Sequence, residues 1–234
     1  MFKEIVNAVH ILLFFVAIRC KTDSDLLSLL ETGSTMSKAS QRKAQLHSDL
    51  IDAAEKRIAE HGVTQLRARD LAKDVGCSLG SIYNVFDDLH DLILYTNART
   101  LMAIDEVMAA SVAGEGEGPR AIMVNLAWAY FEFAVNHNKP WRGLFDHAFP
   151  KDYDSPEWMY EGQLKLLKHI EEPLSETRPN ASAEEISLIA RTLFSAVHGV
   201  VELALDDRTV GLPLEAVRDQ LRMLIESFLE GNHA

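Results

Sequence analysis

Short polar side chains cluster in one stretch of this chain, residues 77–84 (CSLGSIYN). Ser78 and Ser81 carry hydroxyl groups and Asn84 an amide, which can hydrogen-bond to the edges of DNA bases. Leu79 offers an apolar contact, and Gly80 allows a backbone to approach DNA closely. Because these residues share a stretch of less than ten residues, they predict one short helix that reads the major groove.

Two helices joined by a turn are predicted around this stretch, over residues 67–92. Ala68, Leu71 and Ala72 give the first helix a small apolar face, and Gly76 fits a turn position with positive φ. Ser78 is a good N-cap for the second helix. That helix carries an apolar cluster of Ile82, Tyr83, Val85 and Phe86. This pattern indicates a helix-turn-helix, although an ordinary pair of packed helices has the same local signals.

The flanking segments extend the pattern in both directions. Upstream, apolar residues recur at helical spacing until Gly62, namely Leu46, Leu50, Ile51, Ala54 and Ile58. Downstream, Asp88 can cap a long helix that runs to about Val112. One face of that helix is apolar and contains Leu92, Ile93, Leu101, Ile104 and Met108. A unit of three helices followed by a connecting helix is therefore expected.

This arrangement resembles the DNA-binding head of the tetracycline-repressor (TetR) family. Residues 51–62 look like its first helix, 66–76 like its second, and 77–86 like its turn and recognition helix. The resemblance implies a DNA-binding domain over 36–92 and makes Tyr83 the residue that contacts phosphate.

At two positions the sequence departs from the family pattern. Val85 and Leu89 stand where the family often has a polar residue and a lysine. Two expected phosphate contacts are thereby lost, which gives more weight to other cations of the head. The cations placed to help are Arg67, which is among the candidate DNA-binding residues, and Lys38, Arg42, Lys43, Arg69 and Lys73.

The second half of the chain also reads as helical, so we expect an all-α fold. The segment 114–119 (GEGEGP) interrupts the pattern, and Pro119 suits the first position of a helix over 119–137. A new helix is predicted after Pro140, and another from Ser155 to Pro173. Two long helices follow, at about 182–205 and 214–229.

Residues 129–145 and 193–203 resemble the C-terminal domain of the WHG type of TetR protein. Phe194 occupies the place of the Trp in that motif, whereas the pair His198-Gly199 is intact. The resemblance implies that 93–234 form a ligand-binding and dimerisation domain. By the same resemblance, the last two helices build the interface of a homodimer, whose two heads meet a two-fold operator in double-stranded DNA.

Aromatic residues concentrate in the middle of this domain, as expected for an apolar pocket between helices. The candidate residues for binding an unknown small-molecule effector are Trp128, Phe131, Trp141, Phe145, His147, Trp158, Phe194 and His198. The simpler alternative for each aromatic residue is a place in the hydrophobic core, and for each histidine it is a structural hydrogen bond. The expected mechanism is ligand-gated repression, in which the effector favours a wrong spacing of the heads and the connecting helix is the lever.

Charge is distributed unevenly along the 234 residues. The formal net charge is −12, yet residues 36–100 are neutral, with nine basic and nine acidic residues. Residues 101–234 carry eleven basic and twenty-two acidic residues. The acidity therefore lies outside the predicted DNA-binding head, which itself lacks a strong basic excess.

The first 35 residues fit none of these elements. Ile5–Ile18 is an apolar run of 14 residues, shorter than the roughly 20 that a transmembrane helix needs. We hypothesise that Met36 is the natural start and that 1–35 is not native; a membrane-tethered regulator is the alternative. No stable membrane association is expected. The two cysteines, Cys20 and Cys77, give no disulfide framework, which is consistent with a cytoplasmic protein.

Other classes of protein have weaker support in the sequence. No metalloprotease motif, glycine-rich phosphate loop or nucleophile–base pair is found, and the histidines lack metal-ligand spacing. We therefore expect no catalytic residue, metal or cofactor. An all-α small-molecule-binding protein or enzyme without a DNA-binding role remains the alternative.

Overall fold

Residues 38–112, 118–151, 153, 155–208 and 210–230 are described by a computed structural model. These residues form nine α-helices and no strand, so the expected all-α class is confirmed. The expectations about residues 1–35 and about 114–117 lie outside the described residues. The helices are α1 (Lys38–His61), α2 (Ala68–Val75), α3 (Leu79–Tyr83), α4 (Leu89–Ser111), α5 (Pro119–Asn136), α6 (Asn138–Asp146), α7 (Glu157–Thr177), α8 (Ala183–Ala204) and α9 (Leu214–Glu230), with a 3-10 turn at Val63–Gln65.

The chain forms two compact units, and the boundary between them lies between Leu46 and His47. Of the first unit, the structure describes residues 38–46, which form the first turns of α1. All other described residues belong to the second unit, and the elements discussed below are taken from it.

The head of the second unit is built from the rest of α1 and from α2 and α3. Local signals define its element ends: Gly62 has φ +83° after α1, and Gly76 has φ +72° after α2. Both are conformations that only glycine adopts readily. Ile82 and Phe86 are buried, together with the predicted apolar stripe of α1, namely Leu50, Ile51, Ala54 and Ile58.

The larger part of this unit is assembled around α5. This helix packs against α4, α6, α7 and α9, while α8 packs against α7 and α9. Pro119 occupies its first turn, as predicted. Ser182 forms a capping box with Glu185 at the start of α8.

Two helix ends differ from the sequence prediction. Proline was expected to end α7 at residue 173, but the helix continues to Thr177. Pro173 and Leu174 are buried, so packing of this last turn offsets the lost backbone hydrogen bond. Likewise α6 begins at Asn138 rather than after Pro140. Proline is tolerated there because the N–H groups of the first helical turn have no partner within the helix.

Among the described helices, α8 has the length and apolar composition needed to cross a membrane. Core helices of water-soluble proteins pass the same test. One stripe of α8 is packed in the core, namely Ile186, Ala190, Leu193, Val197 and Val201. Its composition is therefore accounted for by packing against α7 and α9.

Candidate nucleic-acid interface and interior cavity

The predicted recognition helix, α3, starts at a well-formed N-cap. Ser78 has an extended backbone, and its Oγ accepts a hydrogen bond of 3.1 Å from the backbone N–H of Ser81. The two hydroxyl groups of Ser78 and Ser81 are also 2.7 Å apart. The sequence Ser-Leu-Gly-Ser thus fixes where α3 begins.

Exposure separates the two faces of α3. Ile82 and the following Phe86 are buried against the head, whereas Leu79 and Tyr83 are 38% and 50% exposed. Ser78, Gly80 and Asn84 are also exposed, and Ser81 is half-buried. Six of the seven predicted DNA-binding residues therefore lie together on or next to one five-residue helix.

Arg67, the seventh, has another set of contacts. Its Nη1 donates to the carbonyl oxygens of Thr64 and Leu66, at 2.8 and 2.9 Å. These bonds hold the 3-10 turn between α1 and α2, although the residue is exposed. Val85 and Leu89, the two positions that depart from the TetR family pattern, are both half-buried.

Two arginines join helices of the head through ion pairs. Neither was singled out from the sequence. Arg57 on α1 forms a bidentate pair with Asp74, and this hydrogen bonding lowers the pKa of the carboxyl group. Arg99 on α4 donates to Asp52 and Glu55 on α1, which joins the connecting helix to the head. Asp52 and Glu55 are three residues apart on α1 and therefore lie on one helix face. This spacing could have predicted a shared basic partner such as Arg99.

Five aromatic rings meet in the larger part of the unit. Trp141, Phe145, Phe194 and His198 were all predicted as effector-binding residues, and the structure brings them together around Tyr130. The ring centroids of Tyr130 and Phe194 are 5.6 Å apart, and those of Phe145 and His198 4.4 Å apart. The rings of Trp141 and His198 are 5.4 Å apart. We call these five residues the aromatic cluster.

Hydrogen bonds connect three members of the aromatic cluster through one oxygen. Trp141 is fully buried and donates from Nε1 to Tyr130 Oη at 3.0 Å. The same oxygen is 2.9 Å from His198 Nδ1. Burial raises the pKa of Tyr130 well above its ordinary value, and burial lowers the pKa of His198. Both groups are therefore held in their neutral forms.

An interior cavity of about 30 Å³ lies beside the aromatic cluster. Its wall comes from α4, α5, α7, α8 and α9 and consists of Met108, Met123, Leu126, Ala127, Tyr130, Ile170, Leu193, Phe194, Val197 and Ile225. Of the predicted effector-binding residues, Phe194 alone is in this wall. Sequence reasoning missed the others, although the spacing of Met123, Leu126 and Tyr130 on α5 marks one helical face.

The remaining candidates lie elsewhere. Trp128 donates to the carbonyl of Arg218, and the guanidinium groups of Arg218 and Arg222 lie over its ring. Trp158 packs on Tyr95, and His147 hydrogen-bonds to His90. Phe131 is buried in the core. Four of the eight predicted residues are thus outside both the aromatic cluster and the cavity wall.

Within the described part of the chain, no three His, Cys, Asp or Glu side chains converge as metal ligands would. Asp105 illustrates the point, since its nearest partners are His169 and Lys165. Burial alone would raise the pKa of Asp105, but hydrogen bonds from Lys165 and His169 lower it overall. This group is therefore an ion-paired carboxylate.

Helix α6 contacts both the aromatic cluster and the head. Trp141 and Phe145 are on the side of the cluster, while Gly143 lies against the head and α4. Asn97 Nδ2 of α4 donates to the carbonyl of Gly143 at 3.3 Å. A methyl group on Gly143 would lie 3.7 Å from Val63 and 3.8 Å from Ile58. This nine-residue helix thus contacts both parts of the unit.

Comparison with known proteins identifies the C-terminal domain. Residues 123–228 match the model of the tetracyclin repressor-like C-terminal domain. No curated protein matches the sequence.

Several solved structures share the fold at low sequence identity. A TetR-like transcriptional regulator from Rhodococcus sp. RHA1 is 18% identical, with a TM-score of 0.57 over 80% of this chain and 97% of that one. BioQ with its double-stranded DNA operator is 15% identical (TM-score 0.56; 79% and 98% covered). RolR in complex with resorcinol is 16% identical (TM-score 0.58; 82% and 89% covered).

The domain match and the fold agree with the order of elements read from the sequence, in which a helix-turn-helix precedes a larger helical domain. The WHG subtype stays a prediction. Residues 123–228 are thus similar to the tetracyclin repressor-like C-terminal domain, and the chain shares the fold of TetR-like transcriptional regulators.

Proposed function

We propose that this protein is a DNA-binding transcriptional regulator that acts as a ligand-responsive homodimeric repressor. The observation that carries the proposal is the position of α6, which contributes Trp141 to the aromatic cluster and places Gly143 against Val63 and Ile58 beside the head. A displacement on one side of this helix is transmitted to the other because packed interiors resist local deformation.

DNA binding is supported by the exposed face of α3. Tyr83, Asn84 and Leu79 extend from a helix whose other face is held by Ile82. BioQ, whose fold is similar, is known in complex with its operator. In our proposal α3 enters the major groove, Tyr83 contacts phosphate, and the residues from Ser78 to Asn84 contact bases.

Effector binding is supported by the cavity and its position. The cavity lies between helices of the C-terminal domain, which is where bundle proteins build ligand sites. RolR, another protein of this fold, is known with resorcinol bound. Because the cavity holds only about 30 Å³, an effector must displace wall side chains, and Met108 and Met123 are flexible enough to move.

The link from effector to DNA follows from the same contacts. Displacement at Tyr130 is passed to Trp141 on α6, and from there to Gly143 and Asn97. Arg99, two residues after Asn97 on α4, holds the head through Asp52. The effector then shifts the population of heads between two positions, provided that it binds the two states with different affinity.

Dimerisation is supported by apolar residues that the subunit does not bury. Leu188 and Leu203 on α8 are 66% and 51% exposed, and Met223 on α9 is 54% exposed. Not every apolar residue of these two helices is available, because the core already contains Leu193, Val217, Leu221 and Ile225. The proposed interface is therefore formed by the exposed apolar residues of α8 and α9, since exposed apolar surface marks interaction sites.

The test starts from genome-wide mapping of the DNA that the protein binds, which yields an operator sequence. Binding to that operator is then measured for Tyr83→Phe and Asn84→Ala by a gel-shift assay. We expect Tyr83→Phe to weaken binding by about tenfold to a hundredfold, because a hydrogen bond to a charged phosphate contributes roughly 1.5–3 kcal/mol. Tyr160→Phe, which removes an exposed hydroxyl from α7, is the matched control. Unchanged affinity and base preference in both head variants would refute the assignment of α3.

A further inference from the structure

The wall of the interior cavity contains almost no hydrogen-bonding capacity. Among the described residues that line it, Tyr130 alone has a polar side-chain oxygen or nitrogen. The rest are aliphatic, Met or Phe side chains. No charged side chain is in the wall, so a carboxylate or an ammonium group there would lose its hydration without a partner.

The hydrogen-bonding capacity of Tyr130 is largely used within the aromatic cluster. A phenol oxygen has one proton to donate and accepts at its lone pairs. Trp141 Nε1 can only donate, so Tyr130 Oη is the acceptor in that 3.0 Å bond. The phenol proton needs an acceptor of its own, and His198 Nδ1 lies 2.9 Å away.

The tautomer of His198 follows from this arrangement. If Nδ1 carried the proton, the buried phenol O–H would have no acceptor among the described neighbours, which is costly. Burial also lowers the pKa of His198, so the ring is neutral. We therefore assign the proton of His198 to Nε2. Tyr130 Oη then donates to His198, accepts from Trp141, and keeps accepting capacity alone for a ligand.

We propose that the effector is an uncharged, largely hydrocarbon molecule whose buried part has one hydrogen-bond donor, such as a hydroxyl group, aimed at Tyr130 Oη. This inference rests on the proposed effector site. It excludes carboxylates and ammonium compounds, and it disfavours ligands whose buried polar group can only accept, such as ketones and ethers.

Selectivity is tested with three probes that share a six-membered ring: cyclohexanol, cyclohexanone and cyclohexanecarboxylate. Their dissociation constants are measured by titration calorimetry on the whole protein without DNA. Leu126→Ala provides a second background, in which the shortened wall side chain leaves more room for the ring. We expect cyclohexanol to bind about fivefold more tightly than cyclohexanone, the effect of one hydrogen bond, and the carboxylate not to bind.

Two variants assign this preference to the predicted atoms. Tyr130→Phe removes the acceptor, so the preference for the alcohol over the ketone should be lost, while Tyr160→Phe should keep the preference of the native protein. His198→Leu removes the acceptor of the phenol proton, which then becomes available to a ligand. We therefore expect the ketone to gain affinity relative to the alcohol in this variant, and because His198 is half-buried the change should not prevent folding.

The inference is overturned if the ketone or the carboxylate binds as well as the alcohol, or if none of the three probes binds either background. It is also overturned if His198→Leu leaves the ratio of alcohol to ketone affinity unchanged. Release of the operator by cyclohexanol is measured separately. Selective binding without operator release would refute the proposed regulation and leave the ligand class standing.

Discussion

Gly143 on α6 is the position where a single methyl group tests the packing between the head and the C-terminal domain. It lies inside the nine-residue helix Asn138–Asp146 and is buried. Its backbone has no positive φ. A Cβ built there would be 3.7 Å from Val63, 3.8 Å from Asn97 Oδ1 and 3.8 Å from Ile58, which are ordinary van der Waals distances. The site therefore accepts alanine without a clash.

The expected size of the effect comes from helix propensity. Glycine in a helix interior is about 0.8–1.0 kcal/mol less favourable than alanine. Since the new methyl group displaces nothing, we expect Gly143→Ala to raise the free energy of unfolding by about 1 kcal/mol. For a domain of this size that corresponds to an increase in Tm of roughly 2–4 °C. Gly143→Val adds two further methyl groups to the same narrow space, and overpacking of this kind costs about 1–3 kcal/mol.

The measurement is urea unfolding followed by circular dichroism, with operator binding measured in parallel. Gly162 on α7 is the matched control, because its Cβ would also make only an ordinary van der Waals contact, at 3.8 Å from Leu101 of α4 and not with a residue of the head. Gly162→Ala should stabilise the protein similarly, and Gly162→Val should leave operator affinity unaltered. Gly143→Val should change operator affinity. A destabilising Gly143→Ala, or equal effects of the two valine variants on DNA binding, would refute the proposed role of α6.

Three further predictions concern the proposed interface, pH and a helix cap. Leu188→Glu should convert a dimer to a monomer in light scattering, whereas Leu164→Glu, a comparably exposed leucine on α7, should not. Burial holds the pKa of His198 below 6.5, so its stabilising contribution is complete above pH 6.5 and is lost as pH falls towards the folded-state pKa. His198→Asn should therefore reduce the loss of unfolding free energy between pH 7 and 5, and an unchanged pH profile would contradict this. Asp88 Oδ1 accepts from the backbone N–H of Asp91 at 2.8 Å, so Asp88→Ala should lower the free energy of unfolding by about 1 kcal/mol in urea titrations; a loss below 0.3 kcal/mol would argue against the cap.

Local signals in the sequence were enough to predict the head. The Ser78 cap, the glycine turn at Gly76 and the Asp88 cap all act within about four residues, and all three are confirmed. The same is true of Pro119 at the start of α5. Proline at 173 shows the limit of this reasoning, because tertiary packing of the last turn of α7 overrides a local preference.

The interior cavity could not be predicted in the same way, because its wall is made by residues distant in sequence. Trp128 and Tyr130 are both aromatic and two residues apart, but successive helical residues are rotated by about 100°. Trp128 consequently packs under Arg218 and Arg222 of α9, while Tyr130 lines the cavity. Trp128 was predicted as a binding residue because of its residue type. The role of Tyr130 depends on the direction in which its side chain points, which only the structure shows.

Several basic side chains of the head are already paired within the protein, which affects how the proposed head would recognise DNA. Arg57 and Arg99 are paired with carboxylates, and the guanidinium group of Arg67 is bonded to carbonyl oxygens. Arg69 and Lys73 on α2 are exposed cations of the same unit. Each phosphate that a protein neutralises adds to the salt dependence of binding. In the proposed complex such cations would contribute affinity that depends on salt, whereas discrimination between base sequences would come from the uncharged groups of α3. The base preference of operator binding should therefore change little with salt, even though the affinity itself does.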